Sequence, residues 1–116
     1  MKEAIDLNLD DEMDIKRDAV IQRFEFTFEL LWKLIKKIAK REQIDVVSPR
    51  SAFKVGFRLQ IINDEKQAFS LIEARNLMSH VYSQEYADNV YDLINKSAVK
   101  VFDESQERIQ VYVDEM

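Results

Sequence analysis

The chain has 116 residues, 47% of them apolar, with one glycine, one proline and no cysteine. That length suits a single domain, residues 1–116, with a core of its own, and the missing cysteines exclude a disulfide framework and thiol chemistry. A formal net charge of −5 argues against general affinity for nucleic acid, whose phosphates attract basic surfaces.

So little glycine and proline leaves almost no material for the turns of a sheet protein, and the dominant residues are helix formers. Residues 1–12 are expected to form a short first helix, with Ala4, Ile5, Leu9 and Met13 as its apolar positions. The main helix runs from Asp14 to about Gln43. Along it Ile21, Phe24, Phe28, Leu31, Ile35 and Ile38 recur in alternating steps of three and four, the seam of a packed helix. Val20, Phe26, Leu30, Trp32 and Leu34 make it apolar on further sides, which predicts a place near the centre of the fold.

Ser48-Pro49 is a helix start, with Ser as N-cap and Pro at the first helical position. The helix it opens runs to about Gln60 with Phe53, Phe57 and Ile61 inward. Gly56 within it either allows close helix contact or simply weakens the helix. Asn63-Asp64-Glu65 starts the next helix with a cap and acids in its first turn. It carries Ala68, Leu71, Ile72, Arg75 and Met78 towards Ser79. Ser83 caps a last long helix that buries Val90, Leu93, Ile94, Ala98, Val101, Phe102 and Ile109. The expected fold is all-α, an antiparallel up-and-down bundle of four to five helices. With neither a charged-then-apolar leader nor a run of 18 apolar residues, the sequence gives no sign of export or membrane spanning, and a cytoplasmic protein is expected.

Charge is unevenly spread. Residues 1–14 hold six acids and one lysine, whereas residues 33–58 hold eight Lys or Arg and two acids. Lys33, Lys36, Lys37, Lys40 and Arg41 either close a long helix and complement its dipole or face RNA or an acidic partner.

Most catalytic templates fail. One glycine cannot build a phosphate loop, and one histidine without cysteine makes a zinc site implausible, so neither metal nor cofactor is expected. Asp6, Asn8 and Asp10 hold the first positions of a calcium loop. Asp11 then stands where the turn glycine belongs and Arg17 where the bidentate Glu belongs, so this is an acidic, solvated segment. No nucleophile elbow supports a serine triad.

What remains is ARNLMSHVY, residues 74–82, with the sole histidine, His80, five residues after Arg75 and two before Tyr82. In a continuous helix, positions five apart differ by about 140° and about 7.5 Å of rise, too far for one small site. Either the helix breaks near Ser79 or the working site is assembled from two chains. Extended residues 80–82 would place His80 and Tyr82 on one side, with Asn76 near the imidazole. The alternative is a polar helix end, with Arg75 capping carbonyls and Tyr82 covering the core.

The Arg-x4-His-x-Tyr form of RNLMSHVY, Arg75 to Tyr82, resembles the signature of HEPN domains, most closely the nucleotidyltransferase substrate-binding branch. RDAVIQRFEFTFELLWK, residues 17–33, and SPRSAFKVGF, residues 48–57, are characteristic of the same branch and stand in the same order. The resemblance implies a chain encoded beside a minimal nucleotidyltransferase and paired with it, often as toxin and antitoxin. It implies a homodimer acting as a metal-independent ribonuclease on RNA. Carried over, Arg75 and His80 become catalytic candidates, Asn76 a supporting residue, and Tyr82 a candidate for modification with AMP by the partner. A non-catalytic substrate-binding subunit of the transferase is the other reading. The intact Arg-x4-His favours the ribonuclease, the acidic net charge the binding subunit.

Overall fold

The computed structural model describes the backbone of residues 9–80 and 84–116 and the side chains of 12–77 and 88–116. Helix α1 spans Leu9–Arg41, α2 Pro49–Arg58 and α3 Glu65–His80. Helix α4, Gln84–Leu93, continues through a π turn, Ile94–Ala98, into α5, Val99–Asp114. Among the described residues there is no strand, and the fold is the all-α bundle that the sequence predicts.

Contacts at both ends and the middle fix the direction of the long helices. Arg17 on α1 reaches Asp88 on α4 at 3.1 Å. Phe24 meets Phe102 on α5 with ring centroids 6.0 Å apart. The Tyr112 hydroxyl donates to Glu42, just past α1. Residue numbers rise together, so α4 and α5 run alongside α1 in the same direction. Helix α3 runs the other way, since Arg108 reaches Asn63 near its start while Leu77 near its end shares a shallow groove with Asn89 and Val90.

The core forms where the seam of α1 meets the other helices. Ile21, Phe24, Phe28, Leu31, Ile35 and Ile38 are all buried, as their spacing requires. Phe28 packs edge-on against Phe53 of α2, 5.6 Å between centroids, and Ile61, Ile62, Ala68 and Leu71 complete the centre. Gly56 serves close approach: a Cβ there would lie 2.9 Å from Ile62 Cγ1 and 3.1 Å from Ile35 Cδ1.

The start of α2 follows the expected rule and extends it. Ser48 accepts from the Ser51 backbone N–H, and the Ser51 side chain takes the Ser48 N–H in return, a reciprocal cap. Asp64 likewise accepts the Gln67 N–H at 3.1 Å ahead of α3.

Several expectations need correction. No break separates a first helix from the main one at Asp14. Helix α1 is continuous from Leu9, because nothing between Leu9 and Asp14 interrupts it and three acids, Asp10 to Glu12, suit its N-terminal turn. Ala4 and Ile5 lie outside the described residues. Met13 is exposed rather than inward, and so is Phe57. Helix α1 is also not enclosed on every side. Phe26 is 72% exposed and Leu30 49%, because the neighbouring helices cover one flank and leave the other to solvent. Helix α3 does not stop at Ser79 but includes His80. Ser83 and Tyr82 lie outside the described residues.

Candidate functional site

The site is built where the middle of α1 faces the second half of α3. Phe28 is fully buried at this level and forms a rigid floor, and the Arg75 guanidinium lies over its ring, 5.3 Å from the centroid. Such stacking suits a planar, weakly hydrated cation. One residue further along α1, Glu29 turns outward and meets Arg75, with Arg75 Nη2 2.9 Å from Glu29 Oε1.

Glu29 has more than one partner. Its second oxygen, Oε2, accepts the Trp32 indole N–H at 3.0 Å and lies 3.8 Å from Lys33 Nζ. The spacing on α1 explains this: Trp32 and Lys33 stand three and four residues after Glu29, one turn along the same flank. The pair is half-buried, with the Arg75 and Glu29 side chains 36% and 35% exposed. One edge of the site is thus in reach of a ligand while its base is fixed in the core.

A row of lysines leads away from this point. Lys33, Lys36 and Lys40 follow Glu29 at steps of four, three and four, so they share its flank of α1, and all three are exposed. Lys40 and Arg41 also sit in the last turn of α1, where positive charge suits the helix dipole.

Of the residues singled out by sequence, Arg75 is at the centre of this arrangement. Asn76 follows it on α3 and is exposed. His80 is the last residue of α3, so positions 75 and 80 belong to one unbroken helix and differ by about 140° in direction. Positions 76 and 80 are one turn apart. Tyr82, expected beside His80 on extended backbone, lies outside the described residues. Sequence reasoning missed Glu29. The signal was a carboxylate one turn ahead of Trp32 and Lys33 in an otherwise apolar run, but its partner Arg75 is supplied by the packing of a second helix.

An all-α bundle with Arg75 and His80 on its third helix fits a HEPN domain. The chain belongs to the family described as nucleotidyltransferase substrate binding protein like, which it matches over residues 1–111. It is also similar to the probable ribonuclease HepT of Haemophilus influenzae, with 30% identity over 80 residues, covering 65% of this chain and 55% of that protein. The chain therefore matches little more than half the length of that relative. No helix among the described residues is long and apolar enough to cross a membrane.

Proposed function

We propose that the chain is the HEPN partner of a minimal nucleotidyltransferase encoded nearby, the toxin of a toxin–antitoxin pair acting on RNA in the cytoplasm. Cleavage needs no metal and uses Arg75 and His80 of two copies in a homodimer, with Asn76 supporting. The observation that carries this reading is the continuity of α3 through His80. Two motif positions about 140° apart on one helix serve a single phosphate poorly, whereas two copies facing each other offer an Arg and a His from different chains. Apolar side chains left in solvent, Leu77 beside the motif and Phe26 and Leu30 on α1, give such a dimer surface to bury.

In the cleavage step the RNA 2′-OH attacks the adjacent phosphorus while one His80 takes its proton. The bond from phosphorus to the 5′ oxygen then breaks, and the second His80, protonated, donates to that leaving oxygen. The products are a 2′,3′-cyclic phosphate and a free 5′-OH. Histidine is suited to both roles near neutral pH, and the Arg75 guanidinium stabilises charge on the pentavalent phosphorus. The similarity to a probable ribonuclease supports this chemistry, and the exposed row Lys33, Lys36, Lys40 gives the RNA backbone a path to Arg75.

The family description favours a second reading, a subunit that presents substrate to the transferase without cutting anything. The test is cleavage of a labelled RNA by purified protein in EDTA, with Arg75→Ala and His80→Ala beside the wild type. Each change should lower the rate about 10²-fold or more with the helical circular dichroism kept. Equal cleavage by both variants, or cleavage only with added magnesium, overturns the mechanism. No cleavage at all leaves the binding subunit.

A further inference from the structure

Glu29 puts a negative charge against the group that, on the reading above, must receive a phosphate. An acid there weakens anion binding, so its presence needs a reason. A half-exposed ion pair is a poor one on stability grounds, since solvent screens it. The geometry supplies another. Among the described residues, Arg75 is held over the buried Phe28 ring at 5.3 Å and at Nη2 by Glu29 Oε1 at 2.9 Å. A ring contact alone fixes the height of the guanidinium over the ring but lets the side chain swing across it; an edge contact in addition restricts that swing.

We propose that Glu29 is the positioning residue for Arg75, and that Trp32 in turn positions Glu29. The proposal rests on the ribonuclease reading for its consequence, though not for its geometry. Guanidinium and indole N–H are both donors without acceptor capacity. The bridging side chain must therefore accept on both sides: Oε1 from Arg75 and Oε2 from Trp32, the latter at 3.0 Å. Only a carboxylate of this length does so. Glutamine offers one oxygen and turns its amide N–H₂ on one of the two donors. Aspartate is a methylene short. Tied to Trp32 within its own helix, Glu29 carries the rigidity of α1 across to a side chain of α3. The guanidinium is thereby aimed rather than searching, and positioning of this kind acts on the chemical step more than on binding.

The experiment uses the full-length chain and a labelled RNA in EDTA, comparing wild type, Glu29→Gln, Glu29→Asp, Trp32→Phe, Arg75→Ala and the double variant Glu29→Gln/Arg75→Ala. Glu29→Gln should lower kcat about tenfold or more with KM for RNA unchanged or reduced, because a repulsive charge is removed while orientation is lost. Glu29→Asp should stay low, and Trp32→Phe should lose a smaller factor. The decisive comparison is the double variant: if Glu29 acts through Arg75, it cleaves no more slowly than Arg75→Ala alone. Wild-type kcat in Glu29→Gln, or a double variant slower than Arg75→Ala by the full Glu29→Gln factor, overturns the proposal.

If Arg75→Ala and His80→Ala leave cleavage intact, or nothing is cleaved, it is the ribonuclease reading that fails. The positioning claim is then judged separately on the indole N–H resonance of Trp32, the chain's single tryptophan. Arg75→Ala and Glu29→Gln should each move that resonance. An indole signal unmoved by Arg75→Ala overturns the Arg75–Glu29–Trp32 linkage whatever the activity.

Discussion

Tyr112 and Glu42 stand 70 residues apart in sequence, yet the phenol of one donates to the carboxylate of the other at 2.8 Å, tying the end of α5 to the end of α1. The hydrogen bond to Glu42 holds the Tyr112 phenol above its usual value near 10, with burial and the Glu42 charge adding to it and Arg41 opposing. A phenol whose value is raised in the folded state favours folding while it is protonated. That contribution is complete below pH 10 and is lost as pH climbs through the raised value. In an alkaline absorbance titration of the four tyrosines, Tyr112→Phe should remove a step above pH 10, and Glu42→Gln should bring that step down. A titration unchanged by Glu42→Gln would show the contact to be absent in solution.

Both α1 and α2 end on a glutamine in the left-handed region, Gln43 at φ 63° and Gln60 at φ 64°. The surrounding bonds are those of a Schellman end: Ile44 N–H to the Ala39 carbonyl and Gln43 N–H to Lys40, then Ile61 N–H to Gly56 and Gln60 N–H to Phe57. Glycine normally holds this position because a Cβ there is strained by about 1 kcal/mol or more. Gln43→Gly and Gln60→Gly should each stabilise the fold by about 0.5–1 kcal/mol after glycine's own entropy cost. Urea unfolding measures this, and a lowered midpoint in both variants would refute the strain.

The lysine row makes a prediction about salt. If Lys36 and Lys40 contact the RNA backbone, Lys36→Ala and Lys40→Ala should each weaken RNA binding and flatten the slope of log affinity against log salt by about 0.7. Arg23→Ala, on another part of exposed α1, serves as the control. A slope that responds equally to all three changes would mean general charge rather than a path.

Tyr82 is the proposed handle for control by the nucleotidyltransferase. AMP on its hydroxyl would bring a phosphate that pairs with Arg75 and repels RNA. Co-expression with the neighbouring transferase should add one AMP to the intact mass, lost in Tyr82→Phe. An adduct mapped elsewhere, or none with an active transferase, rejects this role.

How much of this was legible beforehand depended on the range of the forces involved. Local rules carried the Ser48-Pro49 start and the Asp64 cap, because cap and partner lie within three residues. The seam from Ile21 to Ile38 was readable because burial on one flank imposes a period. Phe26 and Phe57 stand exposed where their apolar character suggests burial, because an apolar side chain does not reveal whether a neighbour exists to cover it. Gln43 and Gln60 gave no signal, since a left-handed residue is advertised only when it is glycine. The motif located Arg75, but its hold by Glu29 depends on the packing of α3 against α1, and no spacing within either helix encodes that.

The π turn at Ile94–Ala98 bears on how the chain tolerates change in length. A π turn holds one residue more than an α turn. Deleting exposed Asn95 or Lys96 lets the helix close as an ordinary α-helix, with Val90 and Val101 still directed inward. The same deletion elsewhere in α4 or α5 turns everything beyond it by about 100° and carries one end of the helix out of the core. Within this bundle the segment works as slack, a place where one codon can be lost and the two faces stay in phase.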